Sequence, residues 1–150
     1  MTATCFVDTN LLVYARDASE PVKQPRAHNW LSRVWATRTG RIGVQVLSEF
    51  YVTVTCKLKP GLSPEEAWND VAGLMTWKPV PTDGPLLIQG RAVQERFDFS
   101  WWDALIVAAG HRAGCAYLLT EDLQDGQDLD GLVVLDPFKH TPAEVLPAPD

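Results

Sequence analysis

The chain has 150 residues, of which 46% are hydrophobic and 21% are charged, a balance typical of one globular domain and unlike that of disordered sequences. Its longest apolar runs, such as residues 105–109, fall far short of the roughly 20 residues that cross a bilayer, so no membrane span is expected. The net charge of −6, from 13 basic and 19 acidic residues, disfavours a nucleic-acid binder unless several acids share one cation-binding site.

The first half of the chain alternates short apolar runs with longer amphipathic stretches. In chain order it predicts a strand, a helical turn, a helix, a strand and two more helices, over residues 4–7, 10–15, 27–37, 41–44, 45–57 and 64–75. The first strand is a compact apolar run that stops at Asp8. Ser63 and Pro64, followed by two glutamates, are typical of a helix N-terminus and mark the start of the last of these helices.

The second half continues the alternation and ends in a proline-rich tail. It predicts an edge strand, two helices and two strands, over residues 78–81, 86–97, 103–112, 116–119 and 133–135. The helix that begins at Asp103 has an almost wholly apolar body, so we expect it to be deeply buried. Pro79 and Pro81 suit only an edge strand, and Pro137 stops the final strand, which leaves residues 137–150 as a C-terminal tail.

This order of elements predicts a single α/β domain over residues 1–150. Strands and helices alternate, and the strands are continuous apolar runs, which is the pattern of a parallel sheet covered on both faces. We therefore expect three layers, in which a parallel sheet of four or five strands is flanked by helices.

The N-terminus and the cysteines predict a cytoplasmic protein. The first residues show no basic start followed by a long apolar stretch, so no signal peptide is visible. Cys5, Cys56 and Cys115 are an odd number with no metal-like spacing, and each lies in an apolar stretch of a predicted element. We expect small buried thiols in a reducing cytosol.

Acidic residues follow two of the predicted strands. Asp8 comes directly after the first strand, and Asp122 follows the strand 116–119 after two residues. In open parallel sheets, functional sites lie beyond the carboxyl ends of the strands, so these carboxylates are expected at the same edge. Because the chain has 19 acidic residues, such a pair alone is only suggestive.

Asp103 and Glu49 are candidates to join this edge. Asp103 opens the apolar helix, either as part of the site or only to neutralise the positive N-terminal end of that helix. Glu49 has apolar neighbours and lies about one turn into a helix that starts near the same edge. A charged residue in such surroundings is seldom buried unless it is paired or metal-bound, although Glu49 could instead face solvent.

Carboxylates without cysteine or histidine partners suit a hard cation. Mg²⁺ and Mn²⁺ prefer oxygen ligands, whereas zinc is disfavoured because His28, His111 and His140 are scattered without ligand spacing. Such a site supports phosphoryl transfer, in which the metal activates a water and stabilises the leaving oxygen.

Four segments of the chain resemble the PIN-domain nucleases, especially the VapC-type toxins of bacterial toxin–antitoxin pairs. They are FVDTNLLVY at 6–14, QVLSEFY at 45–51, SWWDALI at 100–106 and LLTEDL at 118–123. They carry the family's four acids in the family's order, at Asp8, Glu49, Asp103 and Asp122. Each short motif is weak alone, and the ordered set carries the resemblance.

The resemblance implies a PIN-like fold and a Mg²⁺- or Mn²⁺-dependent endoribonuclease. The four acids would be catalytic, and Asp8, Asp103 and Asp122 would bind the metal. The resemblance also implies a homodimer and a small antitoxin that blocks the site. The alternative is a PIN fold retained as a non-catalytic binding or scaffold module.

Three further residues are candidates for supporting roles. Thr9 and Asn10 align with the polar residues that follow the first acid, and the Thr9 hydroxyl would orient Asp8 or a water, unless Thr9 is a plain turn residue. Asp125 is the alternative to Asp122 as the fourth acid.

Other α/β modules with acids at strand ends fit less well. A receiver-like domain has adjacent acids after its first strand and a lysine after its last, whereas Lys139 here follows Pro137. A flavodoxin-like site needs a glycine in the loop that residues 8–11 form here. A haloacid-type phosphatase needs an aspartate where Asn10 stands.

Six tryptophans are many for one small core. Some are therefore expected at an interface with a second copy or with the antitoxin. A groove between the helices at 30–35 and 68–75 could seat an amphipathic antitoxin helix, or its tryptophans could simply pack these helices together. RNA is the implied substrate, and an unstacked strand is favoured because its base edges are accessible.

Overall fold

The computed structural model describes residues 2–149, which contain five strands and six α-helices. The strands are β1 (Cys5–Val7), β2 (Gly40–Arg41), β3 (Tyr117–Leu119), β4 (Asp128–Leu129) and β5 (Leu132–Leu135). The helices are α1 (Thr9–Ala15), α2 (Lys23–Thr37), α3 (Val44–Val52), α4 (Pro64–Leu74), α5 (Gly84–Phe97) and α6 (Trp101–Arg112). A π-helical turn (Thr53–Lys57) extends α3, and 3-10 turns lie at Met75–Trp77 and Pro142–Glu144.

The strands form one sheet in the order β2-β1-β3-β5-β4. β1 pairs in parallel with β2 and β3, and β3 pairs in parallel with β5. The predicted α/β fold with a parallel sheet is confirmed for these four strands. Because the chain returns to the same edge after each parallel strand, the residues that follow β1 and β3 are brought together there.

The fifth strand was not predicted and runs against the others. β4 pairs antiparallel with β5 through a two-residue turn, Asp130–Gly131, in which both residues have positive φ angles of 55° and 99°. An Asp-Gly pair between apolar residues is a strong hairpin signal. Leu129 and Leu132 flank it and are fully buried, so the signal was present in the sequence.

Two predicted strand boundaries are wrong. The second strand ends at Arg41, because Gly43 is the N-cap of α3 and Val44 is already helical. The predicted edge strand at 78–81 is reduced to one bridge between Val80 and Gly43. The two prolines that flank Val80 have no N–H to donate, so the pairing does not extend beyond this bridge.

The helix α6 is the buried helix that the sequence predicts. Residues 104–110 are all buried, and a Cβ at Gly110 would stand 2.8 Å from the Leu132 side chain. On its other side, α6 packs closely against α5, where a Cβ at Gly90 would meet the Leu105 side chain at 2.7 Å. The helix begins at Trp101, two residues earlier than predicted, and Ser100 caps it.

The prediction of three buried thiols is wrong for one of them. Cys5 and Cys115 are buried, whereas Cys56 is exposed in the π-helical turn that ends α3. The tail packs on the fold: Leu146 is buried, and the Trp30 indole donates to the carbonyl of Pro137 at 2.8 Å. Across residues 2–149, every helix is too short or too polar to cross a membrane.

Candidate active site

Asp8 is a buried carboxylate at the carboxyl end of β1. Its side chain is 7% exposed, and it caps the N-terminus of α1. One carboxylate oxygen accepts the backbone N–H of Thr9 at 2.7 Å, and the other accepts the Thr120 hydroxyl at 2.8 Å. These two donors fix the orientation of the carboxylate.

Thr120 connects Asp8 to two other polar side chains. It follows β3 directly and is fully buried. Its hydroxyl oxygen accepts the Asn10 amide at 3.2 Å and the backbone N–H of Asp122 at 3.1 Å. The Asn10 amide also donates to the Asp122 carboxylate at 3.1 Å. One network therefore joins Asp8, Asn10, Thr120 and Asp122 across β1 and β3.

Glu49 joins this network through Thr9. The Thr9 hydroxyl donates to one oxygen of Glu49 at 2.8 Å, and the Gln45 amide donates to the other at 2.8 Å. The Thr9 hydroxyl therefore hydrogen-bonds Glu49 and not Asp8, which accepts the backbone N–H of Thr9.

Thr120 and Gln45 were not among the predicted site residues. The signal for Thr120 was its place between a buried strand and two acids. The signal for Gln45 was its position four residues before Glu49 on one helix face, where side chains meet.

Asp103 lies in the first turn of α6 and is partly buried. Ser100 is the cap of this helix, and its hydroxyl accepts the backbone N–H of Asp103 at 3.2 Å. Asp103 is therefore not the cap, although it lies at the positive end of the helix. Burial raises its pKa above the ordinary value, and the negative charges of Asp122 and Glu49 raise it further, against the effect of Ser100.

Asp8 has the most strongly shifted pKa of the four acids. Burial raises the pKa of Asp8 from 3.8 to about 6, with smaller increases from the charges of Asp122 and Glu49. The hydrogen bonds from Thr120 and Thr9 act in the opposite direction. Burial of Asp8 beside two other acids thus disfavours its charged form, and a bound cation would stabilise that form.

Asp125, the alternative fourth acid, has a different set of partners. Its carboxylate accepts the backbone N–H of Asp136 at 2.9 Å and contacts His140 at 2.8 Å. These contacts lower the pKa of Asp125 and attach the tail to the loop after β3. Asp122, in contrast, is hydrogen-bonded to Asn10 within the network of Asp8.

The family model for the PIN domain matches residues 5–125. The chain belongs to the PIN-domain family. No curated protein matches it. The match covers all four acids, β1 to β3 and the six helices, so the predicted membership of the PIN-domain family is confirmed.

Three solved structures resemble this PIN domain at low sequence identity. FitAB bound to an IR36 DNA fragment has a TM-score of 0.69 at 16% identity, over 90% of this chain and 96% of that chain. A toxin–antitoxin complex from Klebsiella pneumoniae has a TM-score of 0.64 at 17% identity, over 89% of this chain and 98% of that chain. VapC20 of Mycobacterium tuberculosis, a sarcin-ricin loop cleaving toxin, has a TM-score of 0.54 at 19% identity, over 79% of this chain and 90% of that chain. At these identities the likeness shows the fold.

Asp8, Asn10 and Asp122 bring oxygen atoms, the donors that a hard cation prefers, into one network of this PIN domain. Among residues 2–149, no three Asp, Glu, His or Cys side chains are close enough together to ligate one ion by themselves. The Asn10 side-chain oxygen, however, is buried beside Asp122 and has no hydrogen-bond partner. An unpaired buried acceptor costs about 1–3 kcal/mol. Carboxylates beside the unpaired amide oxygen of Asn10 suit Mg²⁺ or Mn²⁺, which take few protein ligands and keep several waters.

Two adjoining grooves of the PIN domain lie along α3, and Glu49 lines one of them. One has a volume of about 570 Å³ and is lined by Thr9, Glu49, Lys57 and Trp102, among others. The other has about 610 Å³ and lies between α3 and α4, with a mainly apolar lining that includes Val52, Trp68 and Met75. The grooves share Ser48 and Val52, so a segment could follow both and end beside Glu49.

Proposed function

We propose that this PIN domain is a Mg²⁺- or Mn²⁺-dependent endoribonuclease and acts in the cytoplasm as the toxin of a type II toxin–antitoxin pair. The observation that carries the proposal is the network in which Thr9, Asn10 and Thr120 hold Asp8, Glu49 and Asp122 at one edge of the sheet. The raised pKa of Asp8 supports it, because a buried and repelled carboxylate gains most from a bound cation.

We assign cation binding to Asp8, Asp103 and Asp122, with at least one of them reaching the ion through a metal-bound water, because no three acids in the part of the chain that the structure describes are close enough to ligate one ion directly. When bound, Mg²⁺ or Mn²⁺ supplies Lewis-acid stabilisation of the charge that develops on the phosphate oxygens. Glu49, which Thr9 and Gln45 hold by both oxygens, is assigned the proton that the attacking water loses. The oxygen of the attacking water forms the new bond to phosphorus as the bond between phosphorus and the leaving ribose oxygen breaks. The leaving ribose oxygen then takes up a proton.

The proposed substrate is single-stranded or loop RNA. Its unstacked bases are accessible to side chains, whereas the deep groove of A-form RNA hides them. The groove beside Glu49 offers Trp102, which is 62% exposed, as a surface for stacking a base. Lys57 in the same groove offers a charge for a phosphate. VapC20, a sarcin-ricin loop cleaving toxin, has a target of this class.

The proposed partner is a small antitoxin whose amphipathic helix lies in the apolar groove between α3 and α4. Trp68 and Met75 are 57% and 50% exposed there, a large apolar surface for a soluble monomer. The groove expected from the sequence, between α2 and α4, is smaller, at about 340 Å³. An antitoxin arginine at the end near Glu49 would pair with the carboxylates. The exposed tryptophans also support the proposed homodimer.

Cleavage of RNA by the purified protein tests this proposal. We expect a labelled single-stranded RNA to be cut with Mg²⁺ or Mn²⁺, and cleavage to stop in excess EDTA. Asp8→Asn and Asp122→Asn should each lower the rate by at least about a hundredfold, the scale expected when a charge that stabilises the transition state is removed. Cleavage that persists in EDTA would contradict the metal requirement.

Expression in cells separates the toxin role from the nuclease activity. The chain expressed alone should arrest growth, and expression of the small protein encoded beside it should relieve the arrest. If cleavage occurs without arrest, the nuclease stands and the toxin role fails. If the folded protein neither cleaves RNA nor binds metal, the alternative of a non-catalytic binding module is correct.

A further inference from the structure

A further pocket lies at the end of the fold away from the acids. It has a volume of about 610 Å³, and its lining includes Trp35, Arg38, Arg41, Trp77, Lys78 and Ala113. Helix α6 carries Asp103 in its first turn and ends one residue before Ala113. Ten residues of helix cover about 15 Å. The pocket is therefore separate from the acidic site.

Three cations line this pocket, and none of its lining residues is acidic. Within residues 2–149, neither Arg38, Arg41 nor Lys78 forms a salt bridge. One terminal nitrogen of Arg41 donates to the carbonyls of Arg38 and Gly40, at 3.2 and 2.8 Å. These bonds hold the guanidinium in place and leave its other nitrogens available. In a chain of net charge −6, such a group is a local site for anions.

Two tryptophans form the aromatic wall of the same pocket. The rings of Trp35 and Trp77 are in contact, with centroids 5.2 Å apart and an angle of 45° between their planes. Trp77 lies on Gly40, where a Cβ would come within 2.5 Å of its ring. Trp35 is 50% exposed. The pair thus presents a supported aromatic surface to a ligand.

Two of the cations occupy backbone positions that favour glycine. Arg38 follows α2 with φ 58°, and Lys78 follows the turn Met75–Trp77 with φ 55°. Glycine or asparagine is usual in this left-handed conformation at a helix end. A cation there can neutralise the negative end of the helix. That role does not explain why both cations border one pocket with an aromatic wall.

We propose that this pocket binds a nucleoside phosphate. The base stacks on the exposed face of the tryptophan pair, and Arg38, Arg41 and Lys78 hold the phosphate through charge-assisted hydrogen bonds. A volume of about 610 Å³ is within the usual range for a small-molecule site. The ligand is either a free nucleotide or one nucleotide of an RNA strand, since both present the same groups.

Titration with ADP in EDTA tests the proposal without engaging the acidic site through a metal. Calorimetry gives the affinity at low salt, and amide chemical shifts locate the site. We expect binding in the pocket that weakens as salt is added, because exposed cations are screened. Adenosine alone and inorganic phosphate alone should each bind at least about tenfold more weakly than ADP, since each makes only part of the contacts.

Arg38→Gly and Lys78→Gly remove one charge each at positions where glycine fits the backbone. We expect both variants to stay folded and each to weaken ADP binding about five- to tenfold, the scale of one charge-assisted contact. Trp35→Ala should weaken it to a similar degree. Asp98→Gly, at the left-handed end of α5 with φ 59°, is the matched backbone control and should bind as the original does.

The outcomes separate the proposal from simpler explanations. Absence of ADP binding at millimolar concentration would overturn it, as would binding that Arg38→Gly and Lys78→Gly leave unchanged. Phosphate that binds as tightly as ADP would show a plain anion patch and would also overturn it. A 2′-O-methyl oligoribonucleotide, which resists cleavage, distinguishes the two sources. If the oligoribonucleotide binds more tightly than ADP and its binding depends on the same residues, the ligand is an RNA strand. If it binds more weakly than ADP, the ligand is a free nucleotide.

Discussion

Asp8→Asn removes the buried charge at the centre of the acidic cluster, and we expect it to stabilise the metal-free protein. Burial raises the pKa of Asp8 to about 6, and the charges of Asp122 and Glu49 contribute to the increase. In the unfolded chain the pKa returns to its ordinary value of 3.8. Between about pH 4 and pH 6, Asp8 therefore binds a proton in the folded protein but not in the unfolded chain. The stability of the folded protein falls as the pH rises through this window.

The size of the effect follows from the difference in pKa. About two pKa units correspond to roughly 3 kcal/mol of destabilisation once the carboxyl is ionised in both states. Asparagine removes this penalty, but it has only one accepting oxygen, so it cannot accept both the Thr9 N–H and the Thr120 hydroxyl as the carboxylate does. The lost hydrogen bond costs about 1 kcal/mol. We expect a net gain of about 1–2 kcal/mol at pH 8, or about 2–8 °C in Tm for a chain of this size.

Unfolding of both proteins in EDTA from pH 4 to pH 8 measures this directly. The advantage of Asp8→Asn should be largest at pH 8 and should disappear towards pH 4, where Asp8 is protonated. Asp125→Asn is the control of opposite sign, because contacts with the Asp136 amide and His140 lower the pKa of Asp125, so this variant should lose stability at pH 8. If Asp8→Asn were less stable than the original at pH 8 without metal, the destabilising effect assigned to the buried Asp8 charge would be refuted.

Three further substitutions follow from the structure. Thr120→Val removes the hydroxyl that joins Asp8, Asn10 and Asp122; it should destabilise the fold by about 1–3 kcal/mol and lower RNA cleavage, and full cleavage would show that the network is dispensable. Asp125→Asn should keep cleavage within about twofold in the same assay, since Asp125 contacts the tail; a loss as large as that of Asp122→Asn would make Asp125 the fourth acid. Gly131→Ala places a side chain at φ 99° and should lower the free energy of unfolding by at least about 1 kcal/mol in urea. An unchanged urea midpoint would contradict the strain assigned to this turn.

The elements that the sequence predicts best are those with a strong pattern. The apolar body of α6, the cap of α4 at Ser63 and the buried run of β1 each depend on local residues, and all three are present in the structure. The placement of Asp8 and Asp122 at one edge follows from the parallel order of β1 and β3. These features could be predicted because periodicity and chain order alone determine them.

The features that were missed depend on contacts between distant residues. Nothing local in the sequence shows that the Thr9 hydroxyl points to Glu49, 40 residues away, or that Thr120 joins two strands. The edge strand predicted at 78–81 is present only as a single bridge between Val80 and Gly43, because the prolines on either side of Val80 have no N–H to donate. The hairpin at Asp130 is different, because its turn signal was local and was overlooked.

Titration of the purified protein with Mn²⁺, with RNA cleavage followed in the same samples, tests the central claim most directly. We expect one saturable binding event whose concentration dependence matches the onset of cleavage. Asp8→Asn and Asp122→Asn should lose both, and Asp125→Asn should keep both. Cleavage that does not follow Mn²⁺ binding, or binding that survives in Asp8→Asn and Asp122→Asn, would contradict a single metal-dependent nuclease site at these carboxylates.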